Sequence, residues 1–162
     1  MFHPAIKTAM GAALSIMLVR LLLYVAGVQW VYLDNALLLV IFAALIPLTI
    51  YGIWPRTKEL SLVDDLKNAL QLAIPYSVLV VVLLFVYYQF IDREYFSFMQ
   101  EGILQRSINE NTAQNVNELR AQVSNFFSLR NFSLIVLLIL LVLSFFYAFL
   151  FAALKRLFLR RF

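Results

Sequence analysis

The chain has 162 residues, of which 64% are hydrophobic and only 14% charged, with a formal net charge of +4. A soluble globular domain carries about 25% charged residues, and a chain this short has too little interior to hide so much apolar surface from water, so a water-soluble fold is excluded. The lack of cysteine and the presence of a single histidine, His3, remove disulfides, thiolate metal sites and cysteine nucleophiles and leave one imidazole that reads as a solvated bystander.

Taken in chain order, four apolar stretches predict membrane-spanning helices at about 6–27, 34–54, 69–91 and 132–154. Each approaches or exceeds the roughly 20 residues needed to cross a hydrocarbon core about 30 Å thick. Their runs are continuous and lack the alternation of a barrel strand, and a segment in lipid must satisfy its own backbone hydrogen bonds, so helices are expected. The fold class that follows is all-α: an integral membrane four-helix bundle in a single membrane domain covering 1–162.

In the first span, Thr8, Gly11, Ala12 and Ser15 form a stripe of small residues that is expected to face protein, because small side chains let a neighbouring backbone approach. Arg20 is the one ionisable group that the spanning pattern forces into the bilayer, where such residues are costly. Two readings stand side by side. Arg20 lies about 14 Å below Gln29, so its side chain can snorkel towards headgroups; or it faces the bundle and pairs with Asp34 or Asp92, the acids at the outer ends of the second and third spans. Trp30, Tyr32 and Trp54 suit the aromatic belts at the two interfaces.

Pro47 and Pro75 each remove a backbone donor within a span, both roughly 12 Å above the inner boundary. Two breaks at one depth suit a small cavity, as in transporters; with no charged residue nearby, matched packing kinks are the simpler expectation. Between the spans, Pro55 to Lys58 reads as a tight turn, and Ser61 with Asp64 has the spacing of a capping box, while Asp64 and Asp65 favour the positive end of a helix dipole. These acids read as structural rather than catalytic.

The stretch 93–130 is expected to form an extracytoplasmic helical hairpin between the third and fourth spans. Phe96, Met99 and Ile103 recur at helical spacing, as do Val116, Leu119, Val123, Phe126 and Phe127, and Asn111 with Gln114 repeats the capping-box spacing. The polar face of this stretch is mostly glutamine and asparagine, whereas a helix built for anionic lipid is usually basic. Docking against protein is therefore favoured, first within the chain and second with a partner, and Val116, Leu119, Val123, Phe126 and Phe127 are the partner-docking candidates. After the fourth span, Lys155, Arg156, Arg160 and Arg161 form a basic tail expected to anchor the membrane end through anionic headgroups. A nucleic-acid role is not expected, because the basicity is short and mixed with lipid-seeking side chains.

Charge sets the orientation. One set of span ends carries eight basic residues against three acids, the other four against six. By the positive-inside rule both termini face the cytoplasm, so the expected location is the bacterial inner membrane, crossed several times. Arg20 within the apolar run and the lack of a small-x-small cleavage site make the first helix a retained span rather than a signal peptide.

The order of these parts carries a resemblance. Asp64-Asp65-Leu66-Lys67-Asn68-Ala69-Leu70 entering the third span, Tyr88-Gln89-Phe90-Ile91-Asp92-Arg93-Glu94 leaving it, the polar helical insertion and the basic end together resemble the four-helix membrane proteins of domain-of-unknown-function family 4199, common in Bacteroidetes. The resemblance implies no catalytic residues, and it implies a role beside a membrane glycosyltransferase in lipid-linked sugar transfer.

The residues themselves favour a non-catalytic accessory or scaffold subunit of a larger inner-membrane complex, with no cofactor. Its expected partners are the lipid bilayer and another integral membrane protein, or a second copy of itself. The alternatives are a transporter or channel subunit acting as an oligomer, or a helper of a membrane glycosyltransferase. An enzyme is not expected, since the interior offers only serine, threonine and tyrosine hydroxyls.

Overall fold

In the computed structural model, residues 4–28, 31–54, 61–109 and 116–159 are described. They form seven helices: α1 (Pro4–Val25), α2 (Val31–Ala43), α3 (Leu45–Ile53), α4 (Leu62–Phe90), α5 (Tyr95–Asn109), α6 (Val116–Phe126) and α7 (Leu129–Leu159). The all-α expectation holds, with no strand among the described residues. Four helical stretches, Ala5–Val25, Ala36–Ile53, Leu62–Phe90 and Leu129–Phe158, are long and apolar enough to cross a membrane. The chain divides into two compact units, one of residues 1–80 with 138–162 and one of residues 81–137.

In the first unit, the two prolines act differently. Before Pro47 the helix loosens at Ala44, between α2 and α3, where the residue keeps helical angles and its N–H still reaches the Val40 carbonyl at 2.9 Å; the proline ring crowds the Ala43 carbonyl and supplies no donor to it. Pro75 sits inside an unbroken α4, so the expected pair of interruptions is a single one. Tyr76 and Ser77, next in the chain after Pro75, are fully buried. Thr49 returns its hydroxyl to the carbonyls of Leu45 and Ile46, at 2.8 Å each, which satisfies it without a neighbour.

The start of α4 follows the local code read from the sequence. The Ser61 hydroxyl accepts from the Asp64 backbone N–H at 3.1 Å, and the Asp64 carboxylate accepts from the Ser61 N–H at 3.3 Å and from its hydroxyl at 2.6 Å. This is a reciprocal capping box with aspartate in the usual glutamate place. The other expected box, Asn111 with Gln114, lies outside the described residues.

Small residues let the helices of this unit close on one another. A methyl group on Gly52 of α3 would stand 2.9 Å from both the Ala69 Cα and the Asn68 carbonyl oxygen of α4, and Ile53, Ala69, Ala148 and Ala152 form a buried cluster joining α3, α4 and α7. Higher on the same helices, the Ser77 and Ser144 hydroxyls meet at 3.2 Å, and the Tyr76 hydroxyl donates to the Ile41 carbonyl at 2.9 Å. In α1 the expected small stripe is turned the wrong way. Thr8, Gly11 and Ser15 are exposed, while Ala9, Ala13 and Arg20 are buried. Alanine is small enough for close approach on its own, and α1 carries small residues on more than one face, so size alone did not select the inward side.

In the second unit, α5 and α6 pack against each other. The fourth span does not continue α6: Phe127 and Ser128 break the helix, and the Ser128 hydroxyl accepts from the Asn131 N–H at 3.4 Å to start α7. Amide side chains hold this corner. Gln100 Nε2 donates to the Phe127 carbonyl at 3.0 Å and Asn131 Nδ2 to the Asn125 carbonyl at 2.7 Å, which satisfies carbonyls that the end of α6 leaves without helical donors.

Candidate functional site

The chain's most tightly built polar centre lies where the end of α3, the start of α4 and the end of α7 meet. Lys155 Nζ lies 2.8 Å from an Asp65 carboxylate oxygen and also donates to the Ile53 carbonyl at 3.2 Å. The two residues are 8% and 2% exposed, so both charges are removed from solvent and the ammonium uses two of its three donors. Helix geometry explains the meeting. Asp65 shares a face with Ala69, Leu72 and Ala73, and Lys155 follows Ala148 and Ala152 at seven and three residues, which places it on the same inward stripe of α7. The Ile53 carbonyl closes α3 and has no intrahelical donor, and a cation there also meets the negative end of the helix dipole. Chemically, this arrangement is a clasp between three helices.

Lys155 is therefore not a headgroup anchor. Charge counting places it in the basic tail because such counting assigns a residue to a membrane side without saying which way round its helix it points. Arg156, the next residue, is exposed; Arg160 and Arg161 lie outside the described residues. The signal that would have found the clasp was present in the alanine spacing of α7 and in the doubled acid of α4, where Asp64 is consumed by the cap and Asp65 points about 100° away, into the core.

Arg20, at 4% exposure, shares the inward face of α1 with Ala9 and Ala13. It faces the bundle rather than lipid. Of its expected partners, the Asp34 side chain lies outside the described residues and Asp92 belongs to the second unit.

The docking candidates of the second unit separate into floor and rim. Val123 is buried, Leu119 and Phe127 are half-buried, and Val116 and Phe126 stand 44% and 60% exposed. Leu119, Val123, Phe126 and Phe127 line an open groove of about 450 Å3, rimmed by the amides of Gln122, Asn125 and Asn131 and, among the described residues, lined by no charged group. Behind it the unit is held by aromatic rings: Tyr88 meets Tyr95 at 4.6 Å, Phe96 at 5.3 Å and Phe132 at 5.8 Å between centroids, mostly edge to face, the arrangement favoured by ring quadrupoles.

Among the described residues no group of three histidines, cysteines, aspartates or glutamates comes together. No curated protein and no solved structure matches the chain. A family model does match, over residues 8–161, and its description is a protein of unknown function. The chain belongs to that family, DUF4199, the one its entry into and exit from the third span resemble.

Proposed function

We propose that this protein is a non-catalytic accessory subunit that binds and stabilises a larger complex of the bacterial inner membrane, with both termini cytoplasmic and with α5 and α6 outside. One observation carries the reading. The apolar face of α6 is left open beside a neutral, amide-rimmed groove, with Phe126 60% exposed at its edge. An apolar centre with a polar, uncharged rim and an aromatic anchor is the composition of a protein-binding surface, whereas a helix serving anionic lipid presents basic residues. The polar groups within the first unit point the same way: Ser77, Ser144, Thr49, Tyr76 and Lys155 spend their donors on this chain's own carbonyls, hydroxyls and carboxylate, as a scaffold requires.

The test is gentle detergent purification at native expression level, followed by mass spectrometry of what remains attached, for the wild type and for Phe126→Ser. An integral membrane partner present in stoichiometric amount with the wild type and lost from Phe126→Ser, at unchanged thermal stability, supports the proposal. A solitary chain that conducts ions in liposomes refutes it in favour of a transporter or channel subunit.

A further inference from the structure

The first unit carries a second groove, of opposite character. On α4, the residues Val63, Leu66, Lys67, Leu70, Gln71 and Ile74 recur at spacings of three and four, so they stand one above another on a single face. Together with Ala5 and Ile6 at the start of α1 and with Pro75, they line an open groove of about 670 Å3. The opposite face of the same helix, with Asp65, Ala69, Leu72, Ala73 and Tyr76, is buried in the bundle. On the groove face Val63, Lys67 and Gln71 are exposed, while Leu66 and Leu70 are half-buried at its floor, where they also pack against the core.

The order of chemistry along the groove identifies that occupant. Among the described residues Lys67 is the one charged residue that lines it, and its side chain is exposed. The acid one turn earlier, Asp64, accepts from Ser61 in the capping box and is also attracted by the Lys67 charge, so the lysine is shared with it. One turn above Lys67 comes the amide of Gln71; the rest of the wall is hydrocarbon, with Val63 and Leu66 before the lysine, Leu70 beside the amide, Ile74 and Pro75 beyond it, and Ala5 and Ile6 of α1 completing the lining. From Val63 to Pro75 the helix rises about 18 Å at 1.5 Å per residue, slightly more than one leaflet's share of a hydrocarbon core about 30 Å thick. A cation, then a hydrogen-bonding amide, then an apolar channel, arrayed from the end of a membrane-spanning helix towards its middle, is the sequence phosphate, ester carbonyl, acyl chain.

We infer that this groove holds one anionic phospholipid. Lys67 Nζ donates to the lipid phosphate, the Gln71 amide donates to an ester carbonyl, and one acyl chain lies along Leu70, Ile74 and Pro75. A zwitterionic headgroup brings its own cation towards Lys67; an anionic one does not, and this difference sets the selectivity. The inference rests on the spanning helices and is independent of the accessory role and of the α6 groove.

Native mass spectrometry of the full chain, released from nanodiscs of phosphatidylcholine and phosphatidylglycerol at three to one, tests it. One phosphatidylglycerol is expected to stay bound after the other lipids are stripped. Lys67→Ala is expected to lower its preference over phosphatidylcholine about fivefold, the effect of about 1 kcal/mol per basic residue at an anionic surface. Lys67→Arg keeps the preference, and Leu70→Trp, which fills the channel, lowers retention of both lipids. Lys67 is exposed, so its variants fold, and an unchanged melting temperature verifies this. Equal retention of the two lipids by the wild type, or an undiminished preference in Lys67→Ala, overturns the inference.

Discussion

The clasp between Lys155 and Asp65 offers the sharpest test of how the first unit is held together. Lys155→Met keeps the length of the side chain and removes its charge, leaving a carboxylate that is 2% exposed with its cation gone. Removing one partner of a buried pair costs about 3–5 kcal/mol. At about 2–4 °C per kcal/mol for a chain of this size, the melting temperature in mild detergent should fall by about 6–20 °C. Asp65→Asn should lie at the lower end of that range, because the ammonium keeps its 3.2 Å bond to the Ile53 carbonyl. In the double variant Asp65→Leu with Lys155→Met, both charges of the pair are gone. Only the Ile53 carbonyl then loses a donor, at a cost of about 1–3 kcal/mol, and replacing a buried pair by apolar side chains is otherwise close to neutral. The double variant should thus be more stable than Lys155→Met alone, a large departure from additivity. Single variants that each move the midpoint by less than about 2 °C, or a double variant as unstable as the singles combined, would refute the reasoning. The pair would then be a solvated bridge of the kind that contributes about 0–1 kcal/mol.

Two further outcomes follow from the packing and the charge pattern. Gly52→Ala places a methyl group 2.9 Å from the backbone of α4 and should cost about 1–3 kcal/mol by overpacking, whereas Gly11→Ala and Gly102→Ala, with nothing within 4 Å of the added carbon, should be neutral or slightly stabilising through helix propensity; thermal midpoints of the three in detergent separate them. The chain has no cysteine, so single cysteines report topology without background. In intact cells an impermeant maleimide should label Ser97→Cys and spare cysteines appended at either end, and labelling of one end alone would overturn the even number of crossings.

Much of this architecture was legible because its signals are local or one-dimensional. Hydropathy marks the spans since each must satisfy its backbone within lipid, and the start of α4 at Ser61 could be read because a capping box is complete within four residues. The missed features depend on rotation about a helix axis or on what packs beside it. Pro47 and Pro75 look alike in the sequence, yet the helix loosens at Ala44 before the first and runs on unbroken through the second. In α1, alanine rather than glycine and serine forms the buried stripe. Lys155 reads as a flank by position, and only the alignment with Ala148 and Ala152 turns it inward. The candidate surface on α6 was legible as a periodic apolar stripe, but its division into a buried Val123 and an exposed Phe126 depends on how α5 and α7 meet it.

The two units are held by different means, and the difference matches the solvent each is expected to meet. Inside a bilayer, lipid tails are as apolar as leucine, so burying leucine against leucine does not favour association; close backbone approach and hydrogen bonds between helices must do it. The first unit is built in that way, with Gly52 on Ala69, Ala148 and Ala152 at the centre, paired serines and one buried ion pair. The second unit is joined by large rings, Tyr88 and Phe132 at the ends of two spanning helices with Tyr95 and Phe96 of α5, where edge-to-face contacts add to the burial of the rings. The same reasoning separates the two open grooves. On α6, the apolar groove is expected to face water and, in the proposed role, to be covered by protein. On α4, an apolar channel already in contact with lipid gains nothing from hydrocarbon as such, and Lys67 is what makes one lipid different from the rest.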